Sequence, residues 1–136
     1  MKYKFSEFEK IQEEVEAMEL RRLESMLKAL FNKIGIGFEF STHFNDRIND
    51  ARNKPTIYIR ELGMLFQKVF VQHKDKLKNM TPEQEGLMKD TSTAINLPFV
   101  MKQGRRGGSN FVRAKTVIRK KQFGNDNFND ITLQVK

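Results

Sequence analysis

At about 100 to 200 residues per domain, a chain of 136 residues predicts a single domain and excludes an enzyme with a separate cofactor module. Hydrophobic residues make up 38% and charged residues 31%, without any run of 18 apolar residues, so a compact core is expected and a membrane span or membrane partner is not. The absence of Cys excludes disulfides and thiolate-bound zinc, and the charged first residues do not resemble a signal peptide, so a cytoplasmic protein is expected.

Positive charge is concentrated in the last third of the chain. The net charge is +8, and residues 99–136 contribute 9 basic and 2 acidic side chains, whereas residues 1–40 contribute 7 and 8. Segregated positive charge favours a polyanionic partner, and nucleic acid is the commonest polyanion in a cytosol. The alternative is a charge that only keeps the protein soluble.

The first predicted element is a helix over residues 5–34. Ser6 and Glu9 form a capping-box pattern at its start, and Gly35 is a typical residue to end it. Apolar residues recur at intervals of three and four, but the pattern shifts between Met18 and Leu20, so the apolar stripe rotates around the helix.

Three further helices are predicted before the strands. The second is capped by Ser41 or Thr42 and runs to about Arg52, and the third begins between residues 56 and 59 and ends near Lys78. A proline at the first helical position after Thr81 predicts a short fourth helix to about residue 90.

From Asn96 the apolar period changes from 3.6 to 2 and predicts strands. We expect strands over residues 97–102, 111–123 and 131–135, joined by glycine-rich turns. The predicted fold is a single α+β domain with N-terminal helices, residues 5–90, packed on a small C-terminal antiparallel β-sheet, residues 96–136.

Basic residues alternate along the predicted strand over residues 111–123. If that strand is continuous, its cations share one face and span several phosphates. Adding those of the preceding hairpin arm gives the predicted nucleic-acid-binding set: Lys102, Arg105, Arg106, Arg113, Lys115, Arg119 and Lys121. The alternative is an edge strand that Lys and Arg protect against aggregation.

The second predicted helix carries a candidate catalytic pair. His43 and Arg47 stand at i and i+4, and Asp50 at i+7, so the three share one helix face. Such an imidazole can transfer a proton near neutral pH while the guanidinium stabilises charge on a phosphorus, with a ribose 2′-OH as nucleophile. The alternative is a surface or packing histidine. No metal site and no cofactor are expected, since the chain has two His, no Cys and no tight acidic cluster.

Two short patterns carry a family resemblance: His-x-x-Asp-Arg-x-x-x-x-Arg from His43 to Arg52, and Leu-Phe-x-Lys from Leu65 to Lys68. Together with the order of elements, they resemble the RegB-type phage endoribonucleases and the wider RelE-like fold, and also small uncharacterised tailed-phage proteins. The resemblance implies an acid-base role for His43 and a phosphate-stabilising role for Arg47. Gln67 stands where those nucleases have a second active histidine.

The sequence thus predicts a phage-type RNA-binding protein of the host cytoplasm, with RNA favoured over DNA as its partner. Whether it is also a metal-independent endoribonuclease stays open at this point. The alternatives are a non-enzymatic module that binds nucleic acid or a host protein, and a virion-associated or assembly protein whose N-terminal helix packs against a partner.

Overall fold

The computed structural model describes residues 5–49, 53, 56–121, 123 and 131–136, with side chains described from Ala17 onward. The helices are α1 (Phe5–Asn32), α2 (Phe44–Ile48) and α3 (Ile59–Lys78), with a short 3-10 turn over Arg105–Gly107. The strands are β1 (Gly37–Phe40), β2 (Glu85–Asp90), β3 (Ile95–Lys102), β4 (Phe111–Ala114), β5 (Ile118–Arg119) and β6 (Ile131–Val135). Helices combined with one sheet confirm the predicted α+β class. Over the residues described, no helix combines the length and the apolar character needed to cross a membrane.

The sheet is mixed, which corrects the prediction of an antiparallel one. Its strand order is β1-β4-β3-β2-β6, and β5 pairs with β3 beyond the end of β4. β3 is antiparallel to β2, β4 and β5, whereas β1 runs parallel to β4 and β6 runs parallel to β2. Parallel neighbours require a long crossover, and the chain from β1 to β4 contains α2, α3 and two strands. The apolar alternation in the sequence does not reveal such a crossover.

One face of the sheet is buried beneath α1 and α3, and we call the opposite face the outer face. Alternate residues of β3, namely Leu97, Phe99 and Met101, are buried on the helix side. The same core contains the following helix residues: Leu23, Leu27 and Phe31 of α1, and Leu62, Leu65, Phe66 and Val69 of α3. At about 25 cal/mol for each Å² of apolar surface removed from water, this contact is the main stabilising term of the fold.

The ends of α1 and α3 follow the sequence closely. The amides of Gly35 and Ile36 donate to the carbonyls of Asn32 and Phe31 at 3.0 and 3.1 Å, and Gly35 has φ +75, which is a Schellman C-cap. The predicted end of α1 is therefore confirmed, and α3 begins and ends within the predicted bounds. The Ser6–Glu9 cap concerns side chains outside the described part.

The predicted fourth helix is wrong, because residues 85–90 form β2. The local signal is partly real: the Gln84 Oε1 accepts from the Thr81 amide at 3.1 Å, as in a helix cap. However, Glu83 has φ 70, which ends any helix there, and Gly86 and Met88 are buried between β3 and β6. The helical part consequently ends at Lys78 rather than near residue 90.

The strand predicted over residues 111–123 is interrupted by residues 115–117. The Pro98 carbonyl accepts from the Lys115 amide at 2.9 Å. In an antiparallel pair the N–H and C=O of one residue point to the same neighbouring strand, so the N–H that proline lacks would also point toward residues 115–117. Pro98 therefore stands within β3, an inner strand of the sheet, on the side where no ladder hydrogen bond needs its missing N–H. The interruption also changes the alternation: a continuous strand would place Val117 on the same face as Arg113, but Val117 is buried.

Candidate functional site: a basic cleft beside α2

A cleft of about 310 Å³ lies between α2 and the connection from β4 to β5. We call it the α2 cleft, and its described lining residues are His43, Arg47, Asn53, Lys115, Thr116, Val117, Ile118 and Phe123. Each of these side chains is neutral or basic. A concave site with three basic groups and apolar walls favours an anion that also carries an apolar portion.

The short helix α2 presents His43 and Arg47 together to the cleft. His43 is the N-cap with φ −96 and ψ −1, close to helical values, so Arg47 follows it by one helical turn. Both side chains are exposed, whereas Phe44 and Ile48 on the adjacent side of α2 are buried and anchor the helix in the core. The structure therefore brings the predicted pair to one place. Asp50, the third predicted member of this face, lies outside the described residues.

Two polar groups of Ser41 hold α2 against the strands. The Ser41 amide donates to the Ala114 carbonyl at 2.9 Å, and its hydroxyl donates to the Lys115 carbonyl at 2.8 Å. Because Ser41 is used in this way, it does not cap α2, which begins later than a cap at Ser41 or Thr42 would predict. These bonds place the N-terminus of α2 beside Lys115.

Asn53 fixes the other end of α2. It is buried, and its Nδ2 donates to the Arg47 carbonyl at 3.1 Å while its Oδ1 accepts from the Arg119 amide at 2.8 Å. The sequence analysis treats Asn53 only as part of a helix-breaking segment and misses this function. A buried side-chain amide that bridges two backbone segments fixes both ends of the cleft at once.

Three predicted cations lie on the outer face of the sheet, and each has a carboxylate partner. Lys102 Nζ lies 2.9 Å from Glu83, Lys115 Nζ lies 2.8 Å from Glu85, and Arg113 Nε pairs with Glu39. Glu39 and Glu85 come from β1 and β2, whose positions beside β4 and β3 are set by the strand order. The outer face therefore alternates in charge and is not uniformly basic.

Arg119 does not share that face, which corrects the prediction of one continuous basic strand. It pairs with Ile95 on the helix side of the sheet, and its side chain is only 9% exposed. Its guanidinium donates to Glu61 and to the Thr93 carbonyl at 2.7 Å each. Burial opposes ionisation of Glu61, but hydrogen bonds from Arg119 and the Tyr58 amide outweigh it and lower the pKa of Glu61. Arg119 thus joins α3 to the turn after β2.

The remaining predicted cations, Arg105, Arg106 and Lys121, are exposed in turns. Arg105 and Arg106 occupy the 3-10 turn between β3 and β4, which is closed by a hydrogen bond from the Gly108 amide to the Arg105 carbonyl at 2.9 Å. Lys121 follows β5 and lines a different cavity, beside Lys120. None of the three belongs to the described lining of the α2 cleft.

The positions relevant to the family resemblance lie apart from one another. Gln67 is exposed on α3 and lines a groove against α1, so it does not belong to the described lining of the α2 cleft. The Nε2 of His73 lies 2.8 Å from the Gln134 carbonyl on β6, so this second histidine points elsewhere. Among the described lining residues of the cleft, His43 is the one imidazole.

Comparison of this chain with known protein families, with curated proteins and with solved structures finds no match in any of the three.

Proposed function

We propose that the protein binds RNA and holds one phosphodiester in the α2 cleft. The observation that carries this proposal is the convergence of His43 and Arg47 from α2 with Lys115 from the β4–β5 connection in one cleft without a described carboxylate. A guanidinium can donate two parallel hydrogen bonds to phosphate oxygens, and an ammonium adds a mobile positive charge.

The surroundings of these three groups support a nucleotide rather than a bare anion. Ile118 and Phe123 supply apolar surface beside the cations, and an aromatic ring is the usual partner of an unstacked base. Lys115 is paired with Glu85, but both side chains are more than 40% exposed. A surface ion pair of this kind is worth about 0 to 1 kcal/mol, so a phosphate can replace the carboxylate at little cost.

We further propose that His43 allows the cleft to break the bound phosphodiester without a metal. The imidazole takes the proton of a ribose 2′-OH, O2′ forms a bond to phosphorus, and the bond from phosphorus to O5′ breaks. The imidazolium then returns the proton to O5′, while Arg47 stabilises the charge on the phosphorane. The products are a 2′,3′-cyclic phosphate and a 5′-hydroxyl.

A binding module without catalysis is the second candidate. It is favoured by the presence of a single imidazole among the described lining residues, since one group must then serve as both base and acid. RNA binding is common to the two candidates, so the binding test precedes the cleavage test.

The binding test measures the affinity for single-stranded RNA by fluorescence anisotropy at several salt concentrations. Arg47→Ala and Lys115→Ala should each weaken binding by about tenfold and reduce the log-log salt slope by about 0.7, the value for one phosphate contact on a single strand. Lys74→Ala removes the same charge from an exposed position on α3 and is the matched control. Equal effects of all three substitutions would contradict a defined site.

The cleavage test incubates the protein with RNA in the presence of EDTA and analyses the product ends. We expect a 2′,3′-cyclic phosphate, and His43→Ala should slow cleavage by about 10² to 10⁴ while most of the affinity is retained. Binding without any cleavage by the unmodified protein would overturn the catalytic proposal and leave the binding module. Cleavage unaffected by His43→Ala would assign the activity to another site or to a contaminant.

A further inference from the structure

A second concave surface lies between α1 and α3, on elements that do not line the α2 cleft. This α1–α3 groove has a volume of about 480 Å³, and its floor includes Leu23 and Gly63. Met26 and Met64 lie along it and are 65% and 53% exposed, respectively. Methionine side chains adapt to the shape of a partner, and large exposed apolar side chains grouped in a groove are typical of an interaction surface.

The helical period of α1 separates two apolar stripes. At 100° per residue, the buried positions Leu20, Leu23, Leu27 and Phe31 centre on the side that faces the sheet. Positions 8, 11, 15 and 18 of the sequence are also apolar, but they fall about 140° away, on the same side of the helix as Met26. Met18, the last of them, is 49% exposed. The rotation of the stripe after Met18 thus marks the change from one surface to the other.

The charges along α1 are opposite in its two halves. Residues 5–19 contain six Glu and one Lys, whereas residues 20–32 contain three basic residues and one Glu. The α1–α3 groove lies beside the second half, and its charged lining residues Lys33 and Arg60 are both basic and exposed. An apolar helix face flanked by glutamates is therefore complementary to the groove in both charge and hydropathy.

We propose that two copies of this chain form a dimer in which their α1 helices pair antiparallel. The first half of each α1 packs along the α1–α3 groove of the other copy. A single interface therefore contains two identical contacts, each between the stripe of one copy and the groove of the other. A two-fold axis near residue 20 makes this arrangement self-complementary, as an isologous dimer requires. A 28-residue helix is about 42 Å long, which is sufficient for its first half to extend along the partner's groove.

The antiparallel direction follows from the charges. A parallel pair would place the glutamate-rich halves beside each other and the basic halves beside each other, which is unfavourable. In the antiparallel pair, the glutamates of each copy lie near Lys33 and Arg60 of the other. The same pairing removes Met18, Met26 and Met64 of both copies from solvent. The dimer is independent of the proposed RNA binding, because the α1–α3 groove and the α2 cleft have no described lining residue in common.

The first test measures the mass of the full chain in solution by sedimentation equilibrium. A dimer is expected, and Met26→Glu and Met64→Glu should each raise its dissociation constant at least tenfold. Thr132→Glu introduces the same charge at an exposed position of β6 on the outer face of the sheet, away from the groove, and it should leave the constant unchanged. Thermal unfolding by circular dichroism checks that each variant is folded. A monomeric unmodified chain, or a dimer that Met26→Glu and Met64→Glu weaken no more than Thr132→Glu does, would overturn the proposal.

The second test exchanges the charges. A chain with Lys33→Glu and Arg60→Glu should dimerise at least tenfold more weakly, and so should a chain with Glu7→Lys, Glu14→Lys and Glu19→Lys, the glutamates that flank the second stripe at 100° per residue. When the two variants are mixed, a heterodimer should form in preference to either homodimer. In the heterodimer the acidic groove of the first variant meets the basic stripe of the second, and the basic groove of the second meets the acidic stripe of the first. Both contacts therefore join opposite charges, whereas each homodimer joins like charges. Native mass spectrometry distinguishes the species by mass. Random mixing of the two variants would contradict the assigned pairing.

Discussion

Asp90 is a buried carboxylate whose ionised form is stabilised by hydrogen bonds. Its side chain is 1% exposed, and its oxygens accept from the Ser92 hydroxyl at 2.6 Å, the Ser92 amide at 2.9 Å and Lys68 Nζ at 3.3 Å. Burial opposes ionisation, but the bonds from Ser92 and Lys68 outweigh it and lower the pKa of Asp90 below its usual value of 3.8. The ionised side chain therefore stabilises the fold at the end of β2.

The pH dependence of stability tests this arrangement. Because the pKa is lower in the folded state than in the unfolded state, the stabilisation is complete above the ordinary value of 3.8 and is lost as the pH falls through the lowered folded pKa. Asp90→Asn should reduce the free energy of unfolding at pH 7 by about 1 to 3 kcal/mol, and the difference from the unmodified protein should shrink as the pH falls below 3.8. Urea unfolding at several pH values gives both quantities. Asp75→Asn, at an exposed position on α3, should show neither effect.

At the scale of single elements, the close packing of β2 against β3 depends on one glycine. Gly86 stands opposite Phe99 in the ladder, and a Cβ added at Gly86 would lie 2.4 Å from the Phe99 ring. The ring therefore lies over the glycine backbone, and β2 can approach β3 only because position 86 has no side chain. This close approach is a property of the paired strands and cannot be read from the residues around Gly86 alone.

Gly86→Ala should destabilise the fold by about 1 to 3 kcal/mol, because the Phe99 ring must leave its buried position. Gly63→Ala is the matched control, since its Cβ would meet Leu23 at an ordinary 3.6 Å and alanine favours the helix by about 1 kcal/mol. Urea midpoints of the two variants should therefore shift in opposite directions. A Gly86→Ala protein as stable as the unmodified chain would show that the ring can move without cost.

Local patterns predict much of this fold, and the failures have a common cause. The bounds of α3, the Gly35 stop and the shared face of His43 and Arg47 depend on neighbours within one helical turn, so the sequence predicts them correctly. Arg119 lies on the helix side of the sheet because the strand is interrupted beside Pro98, which belongs to another strand. The charge of Arg113 is neutralised by Glu39, which lies on the neighbouring parallel strand. These interactions between distant segments carry no local signal in a single sequence.

The positive charge of the whole molecule has a different distribution from that predicted. Residues 99–136 carry most of it, but Lys102, Arg113 and Lys115 are compensated by carboxylates from other segments of the chain. Within the described part of the chain, neither Arg47 nor the exposed pair Arg105 and Arg106 has an ion-pair partner. The uncompensated charge available to the proposed RNA ligand therefore lies at the α2 cleft, at the 3-10 turn and at Lys120 and Lys121 after β5, rather than along β4.

The salt dependence of RNA binding can distinguish this local field from a general excess of charge. Replacing Arg105 and Arg106 together by Ala should reduce the log-log slope by about 0.7 for each phosphate that the variant no longer neutralises on a single strand. Lys74→Ala combined with Lys76→Ala removes the same two charges from exposed positions near the end of α3, and its slope should stay close to that of the unmodified protein. If both double variants lower the slope equally, RNA responds to the net charge alone, and the 3-10 turn has no specific part in binding.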